Sequence, residues 1–217
     1  MKKVIVSCTN DKNSEFYYFP NFISESEQSK LMTHLNTMVD FEPCANYRGS
    51  SSRFQKWYQK EGKYFCPKWK KEHKRWQSFE NDEVLEKTQN NIIKKLEKIF
   101  KTKKITVNSC LINRYDNGNN YIHSHRDSIE SFGEYPIIIG LSLGAERTIN
   151  FNKVIFDPLN LKSMKKNKID PMKFSFTLES GSIFVMAGSS QKYFSHEIPK
   201  CSSSDKRYSL TFRNYIL

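Results

Sequence analysis

The chain lacks any cysteine framework. Its five cysteines, Cys8, Cys44, Cys66, Cys110 and Cys201, are odd in number and scattered, with no Cys-x-x-Cys pair among them. That excludes a disulfide scaffold and a zinc ribbon, and it implies free thiols in a reducing compartment. Long hydrophobic runs are missing too. Met1-Lys-Lys-Val-Ile-Val-Ser-Cys8 reaches only a few apolar residues before Asn10-Asp11-Lys12, too few for a secretory leader or a membrane span. An intracellular location, cytoplasm or nucleus, is therefore expected, with no membrane partner. Neither a linker nor a repeat divides the 217 residues, so residues 1–217 are expected to form a single domain with one substantial core, working as a monomer. Acidic residues are scarce: 23 Asp and Glu face 35 Lys and Arg, a net charge of +12. Such an excess fits a polyanionic partner, and it also fits a simple compositional bias toward lysine.

What the chain does have is periodicity. Ser24 with Glu27 three residues later is a capping-box signature, predicting a helix from about Glu25 to Val39 with Leu31, Leu35, Met38 and Val39 buried. Leu85, Ile92, Leu96 and Ile99 recur at helical spacing between Asn81 and Lys101 and predict a second helix. Phe16 to Phe19 reads as a strand ended by Pro20. From Ile105 onward nearly everything reads as short strands: 105–114, 121–125, 136–143, 147–152, 173–178, 182–186, 192–197 and 207–215. Asn117-Gly118, Gly144 and Ser180-Gly181 supply turns between them. The expected fold is mainly β with flanking helices, a double-stranded β-helix (jelly roll) braced by two N-terminal helices.

Chemistry concentrates in Ile122-His-Ser-His-Arg-Asp127. On a strand, side chains at 123, 125 and 127 share a face, so His125 and Asp127 can reach one ion while Arg126 points away. His196, far downstream in another strand-like segment, is the candidate third ligand. Two histidines and a carboxylate on one side of a metal leave positions open for substrate and oxygen, the arrangement of non-haem Fe(II) oxygenases. A His-x-Asp pair in a strand also fits a purely structural, hydrogen-bonded role. In Arg207-Tyr-Ser-Leu-Thr-Phe-Arg213, strict alternation puts Arg207, Ser209, Thr211 and Arg213 on one face and Tyr208, Leu210 and Phe212 on the other. Two guanidinium groups with two hydroxyls suit a small dianion; the same face would also serve as the solvated edge of a basic protein.

Taken in order, Ile112-Asn113-Arg114-Tyr115, His125-x-Asp127, Pro136-Ile-Ile-Ile-Gly-Leu-Ser-Leu-Gly144 with Arg147, His196 and Arg207-x-x-Leu-Thr-Phe-Arg213 resemble the AlkB family of Fe(II)- and 2-oxoglutarate-dependent nucleic-acid dealkylases, especially its animal-type members. The resemblance runs from about Phe16 to Leu217 and is weakest from Phe41 to Trp76. It implies that His125, Asp127 and His196 bind iron, that Arg207 pairs with the distal carboxylate of 2-oxoglutarate, and that Asn113, Tyr115, Ser209 and Arg213 complete that pocket. It also implies oxidative demethylation of N-alkylated bases in DNA or RNA with O2 as oxidant, releasing formaldehyde and succinate. A protein or small-molecule hydroxylase using the same triad is the alternative. Two positions depart from the pattern: Ser209 stands where family members commonly have Asn, and Ser128-Ile129 follow Asp127 where an acidic residue is often found. Glu130 is the first carboxylate available to a substrate base, so either it takes that role through a shifted loop or base reading differs. Arg147 is assigned to the substrate side by the same resemblance.

Between the two helices, aromatic residues alternate with cations: Arg53-Phe-Gln-Lys-Trp-Tyr58, Tyr64-Phe-Cys-Pro-Lys-Trp-Lys-Lys71 and His73-Lys-Arg-Trp76. Bases stack on aromatic faces while lysine and arginine neutralise phosphates, so a nucleotide-recognition lid is expected at about 41–76. The same residues could equally pack on the sheet with lysines reaching outward. By resemblance Trp57 and Tyr58 fall among substrate-facing aromatics, with Tyr58 expected in the base pocket.

Overall fold

A computed structural model describes residues 1–8, 11–45, 51–59, 62–66, 76–80, 82–101, 104–154, 172–202 and 204–217. In chain order its elements are β1 (Lys2–Val6), β2 (Ser14–Phe19), α1 (Glu25–Thr37), β3 (Glu42–Ala45), β4 (Ser51–Gln59), α2 (Glu83–Phe100), β5 (Ser109–Tyr115), β6 (Ile122–His125), α3 (Ile129–Phe132), β7 (Ile138–Gly144), β8 (Arg147–Lys153), β9 (Lys173–Leu178), β10 (Ile183–Gly188), α4 (Ser190–Tyr193), β11 (Phe194–Ile198) and β12 (Arg207–Arg213). All eight strands expected after Ile105 are present. Together with β1 to β4 they build a mainly β jelly roll of two antiparallel sheets, a large one ordered β1-β2-β10-β7-β12-β5-β4-β3 and a small one ordered β6-β11-β8-β9.

Each face of the large sheet has its own cover. On the outer face Ile112, Ile139, Leu141, Tyr208, Leu210 and Phe212 share one buried cluster with Leu31 and Leu35 of α1 and with Leu85, Ile92 and Leu96 of α2. Burying each such side chain contributes roughly 1.5–3 kcal/mol. The capping box forms as its sequence requires, Ser24 accepting from the Glu27 backbone and Glu27 accepting from that of Ser24. Asp82 caps α2 by accepting from the Leu85 N–H at 3.0 Å, and the same carboxylate meets His34 Nε2 of α1 at 2.8 Å. Both helices are shorter than their periodicity suggested. Because α1 ends at Thr37, Val39 lies beyond it and is 68% exposed; at the end of α2 it is Phe100, not Ile99, that packs on the core.

The inner face meets the small sheet through Phe16, Tyr18, Tyr115, Ile138, Phe151, Phe184 and Phe194. A third cluster, Trp57, Phe65, Cys66, Trp76, Leu111, Phe132 and Tyr215, gathers residues of β4, β5 and α3. The N-terminal part of the expected lid proves to be sheet. Residues 51–59 form β4, paired in register with β5 from Phe54↔Arg114 to Gln59↔Ser109. Residues 46–50, 60–61 and 67–75, which include the cationic run at Lys68 to Arg75, lie outside the described residues. At the end of β7, Gly144 has φ +86°, and a Cβ there would sit 2.4 Å from the Lys206 carbonyl oxygen. Only glycine lets β7 approach the start of β12 this closely.

Candidate active site

Two strands of the small sheet and the loop after β6 bring the candidate metal ligands His125, Asp127 and His196 together. His125 and His196 are directly opposed across the antiparallel β6–β11 pair, their ring centroids 4.3 Å apart. Asp127 follows two residues after β6, and the potential ligand atoms of His125, Asp127 and His196 all lie within 4.8 Å of one another. His125 Nδ1 is 2.8 Å from the His123 carbonyl oxygen. A carbonyl can only accept, so Nδ1 carries the proton and Nε2 is left with its lone pair for an ion. His123 itself is exposed and contributes only that carbonyl.

Asp127 is fixed from two sides. Its Oδ2 accepts from Arg213 Nε at 2.7 Å, and its backbone N–H donates to Gln191 Oε1 of α4 at 2.9 Å. Burial works to raise its carboxyl, but Arg213, His196 and His125 outweigh that and bring it down to about 2. His196 moves the other way from a normal imidazole: burial, reinforced by His125, depresses it to about 3. Burial also lowers His125, against the pull of Asp127. At neutral pH the three residues thus present one carboxylate and two neutral imidazoles, the protonation state a divalent cation needs. His196 Nδ1 is buried and has no hydrogen-bond partner among the described residues.

The triad opens onto a pocket between the sheets, lined on the large-sheet side by Asn113, Tyr115, Ser142, Arg207, Ser209, Thr211 and Arg213. Every inward residue of β12 faces it. Arg207 is 1% exposed, and its Nη2 donates to Ser142 Oγ at 3.0 Å. Among the described residues its Nε and Nη1 find no acceptor within hydrogen-bond geometry, nor does Arg213 Nη1. Burial lowers the Arg207 guanidinium from its usual value, and Tyr115 lies under it at 5.0 Å. Buried cationic N–H groups without acceptors are costly. Their presence beside a two-histidine, one-carboxylate cluster fits a small dianion that reaches the same metal.

The pattern of the 2OG-Fe(II) oxygenase superfamily matches residues 15–213. The chain belongs to this superfamily. Membership implies Fe(II), 2-oxoglutarate and O2, and the donor set and buried arginines of this oxygenase suit the first two. Human alpha-ketoglutarate-dependent dioxygenase alkB homolog 3 is 34% identical over 109 residues, 50% of this chain and 36% of that protein. The DNA oxidative demethylase ALKBH2 of Arabidopsis thaliana is 31% identical over 117 residues, 49% of this chain and 37% of that protein. The chain therefore spans little more than a third of the length of these relatives. The solved structure of OsALKBH1 superposes with a TM-score of 0.60 at 15% identity, covering 97% of this chain and 100% of that one. The epimerase SnoN from nogalamycin biosynthesis, a non-heme alpha-ketoglutarate-dependent enzyme, gives 0.63 at 10% identity, covering 92% and 76%. At those identities the likeness establishes the fold of the oxygenase and nothing finer.

Other expected site residues are placed differently. Tyr58 does not enter the pocket. Alternation along β4 turns it to the helix-covered face, where it packs on the outer cluster with its hydroxyl 3.9 Å from Met38 Sδ. Trp57 is on the inner side but fully buried against Phe65 and Tyr215, leaving no face for a base to stack on. Arg147 is 3% exposed and donates to the backbone carbonyls of Asn120 and Pro199, with its Cζ 5.6 Å from the Tyr115 ring. That makes it a clasp between loops rather than a surface for substrate. Glu130 is exposed on α3, three residues past Asp127. Ser142, Gln191, Arg53 and Gln55 were not expected. The alternation of Leu141-Ser142-Leu143 could have indicated Ser142; Gln191 sits in a single helical turn that has no periodicity to read.

Proposed function

We propose that this chain oxidatively removes alkyl groups from base nitrogens of DNA or RNA, acting as a monomer inside the cell, in cytoplasm or nucleus. His125, Asp127 and His196 would hold Fe(II), and Asn113, Tyr115, Arg207, Ser209 and Arg213 would hold 2-oxoglutarate. One observation carries the reading: acceptor-less, buried arginine N–H groups line the same pocket as a metal-ready triad. Bound together, Fe(II) and 2-oxoglutarate supply the activation of O2. One oxygen atom ends in succinate, with loss of CO2, and the other on the alkyl carbon; the resulting N–CH2OH group breaks down to formaldehyde and an N–H base.

The protein's own residues place and protect. Arg207 neutralises the distal carboxylate of the co-substrate, and Ser142 fixes the guanidinium that does so. Arg213 keeps Asp127 ionised and correctly turned. Ile122, Leu178, Met186 and Ile198 wall the pocket and exclude water. Base specificity is assigned to Glu130, the first carboxylate after Asp127, with the base brought out of any duplex to reach it. The similarity to a DNA oxidative demethylase and the charge of +12 favour nucleic acid as substrate.

The alternative, a protein or small-molecule hydroxylase, gains from the burial of Trp57 and the outward turn of Tyr58, which remove the two aromatics expected to stack a base. The decisive experiment incubates iron-loaded protein with 2-oxoglutarate and methylated DNA or RNA oligonucleotides and follows formaldehyde and succinate. Formaldehyde stoichiometric with succinate establishes dealkylation. Succinate released at the same rate with and without oligonucleotide, and no formaldehyde, gives the function to the alternative.

A further inference from the structure

Asn113 lines the pocket beside Arg207 and Ser209, and it is Ser209's partner in the β5–β12 ladder. What a primary amide offers a ligand depends on which end faces it, oxygen or nitrogen. Here the strand on the far side of β5 fixes that end. Arg53 Nε lies 2.8 Å from Asn113 Oδ1, and Gln55 Nε2 lies 2.9 Å from the same atom. Arginine can only donate, so the atom it touches must be the carbonyl oxygen. The Gln55 atom on that oxygen must then be its amino group. The orientation of both amides follows from chemistry, where it would otherwise rest on a choice between near-identical ends. With Oδ1 occupied by two donors, the only unspent hydrogen-bonding capacity of the Asn113 amide is the Nδ2 amino group, a donor for a carboxylate.

The burial of these groups rules out a surface accident. Gln55 is 1% exposed, Asn113 5% and Arg53 8%. Gln55 Oε1 has no hydrogen-bond partner among the described residues, a cost that a hydrophobic residue at 55 would avoid. Arg53 and Gln55 stand two apart on β4, and Gln55 is the direct ladder partner of Asn113.

We infer that Gln55 and Arg53 are positioning residues for the co-substrate, acting through Asn113: they hold its carboxamide with the donor end toward the 2-oxoglutarate pocket. This rests on the assignment of Asn113 to that pocket, and the two are tested separately. Mn(II), which is redox-silent here, is loaded in place of iron, and 2-oxoglutarate binding is measured by calorimetry for wild type, Gln55→Met, Asn113→Ala and the double variant. Mn(II) affinity and the thermal midpoint are recorded for each. Gln55→Met should weaken 2-oxoglutarate binding about 3- to 10-fold with Mn(II) affinity unchanged, and should weaken it no further once Asn113 is alanine. An Arg53→Lys variant should fall in the same direction and show the same dependence on Asn113.

If Asn113→Ala leaves 2-oxoglutarate binding intact, both the pocket assignment and the inference fall. If Asn113→Ala weakens binding but Gln55→Met does not, only the inference falls. Equal loss from Gln55→Met in both backgrounds would show a general packing role and overturn it as well. Should Gln55→Met lower the thermal midpoint, Gln55→Ser, smaller and still polar, repeats the cycle under the same criteria.

Discussion

The two faces of β12 are built from alternate residues of one seven-residue strand, yet they obey opposite rules. Outward, Tyr208, Leu210 and Phe212 are packed among helix residues, and their stabilising contribution is complete in the protein as it stands. Inward, Arg207 and Arg213 are as deeply buried but keep N–H groups with no acceptor. The outer face is made for the fold; the inner face carries donors that a bound anion would satisfy. Burial alone therefore says little about purpose. What separates the faces is whether the buried groups are satisfied.

The sharpest test removes metal ligands. His125→Ala, Asp127→Ala and His196→Ala should each abolish turnover while the outer face keeps the protein folded, because two remaining ligands hold Fe(II) poorly. His123→Ala, which retains the carbonyl that orients His125, should keep substantial activity. Iron loading and circular dichroism of the four variants check this, and loss of iron from the His123 variant alone would sink the assignment.

Next comes a swap across the strand. Arg207→Ala should weaken 2-oxoglutarate binding by on the order of 3–5 kcal/mol, since the bound carboxylate loses its buried partner, and Arg207→Lys should recover only part. Leu210→Ala should do the reverse, costing about 2–5 kcal/mol of stability with co-substrate affinity unchanged in the folded fraction. Arg207→Met is the strictest form of the comparison. Replacing an unsatisfied buried charge by an apolar chain should leave the metal-free protein at least as stable, measured as urea midpoint, while co-substrate binding disappears.

The pH dependence should also divide by face. In the metal-free protein, folded His196 takes its proton only near pH 3 and His125 below its ordinary value, whereas the unfolded chain takes both near 6.5. Acidification below about pH 6.5 therefore favours the unfolded state, and stability should fall. Asp127, depressed to about 2, adds a further loss as pH drops from about 3.8 toward that value. A thermal midpoint flat from pH 8 to pH 5 in metal-free protein would contradict this. The smallest expected effect lies on the helical side, where Ser24→Ala should cost about 1 kcal/mol through the lost cap without touching co-substrate affinity.

Much of this was legible from residue order because period-two patterning shows in sequence wherever apolar and polar residues alternate. Both faces of β12 and all eight later strands could be read that way; the candidate ligands His125, Asp127 and His196 rest instead on residue type, spacing and resemblance. Strand β4 could not. Its Arg53, Gln55, Trp57 and Gln59 face inward and are buried, while Phe54, Lys56 and Tyr58 face the helices. A row of polar residues on a buried face inverts the usual cue, so the segment read as a lid rather than a strand, and resemblance alone put Tyr58 in the base pocket. Gln191 was invisible for another reason: its contact with Asp127 spans 64 positions, and nothing local announces it.

The shortness of β6 has a consequence for how the protein breathes. His125 lies on a four-residue strand that, among the described residues, is at the edge of the small sheet and pairs only with β11, with its register shifted between His196 and Ile198. Edge strands this short open locally at a small fraction of the global unfolding free energy. An ion shared by His125 and His196 would cross-link β6 to β11, and Asp127, anchored to β12 through Arg213, would extend that link to the other sheet. Amide hydrogen exchange at residues 122–127 should therefore slow with added metal far more than exchange at β7 or β12, making this edge strand a local gauge of occupancy in a protein whose core exchange barely changes.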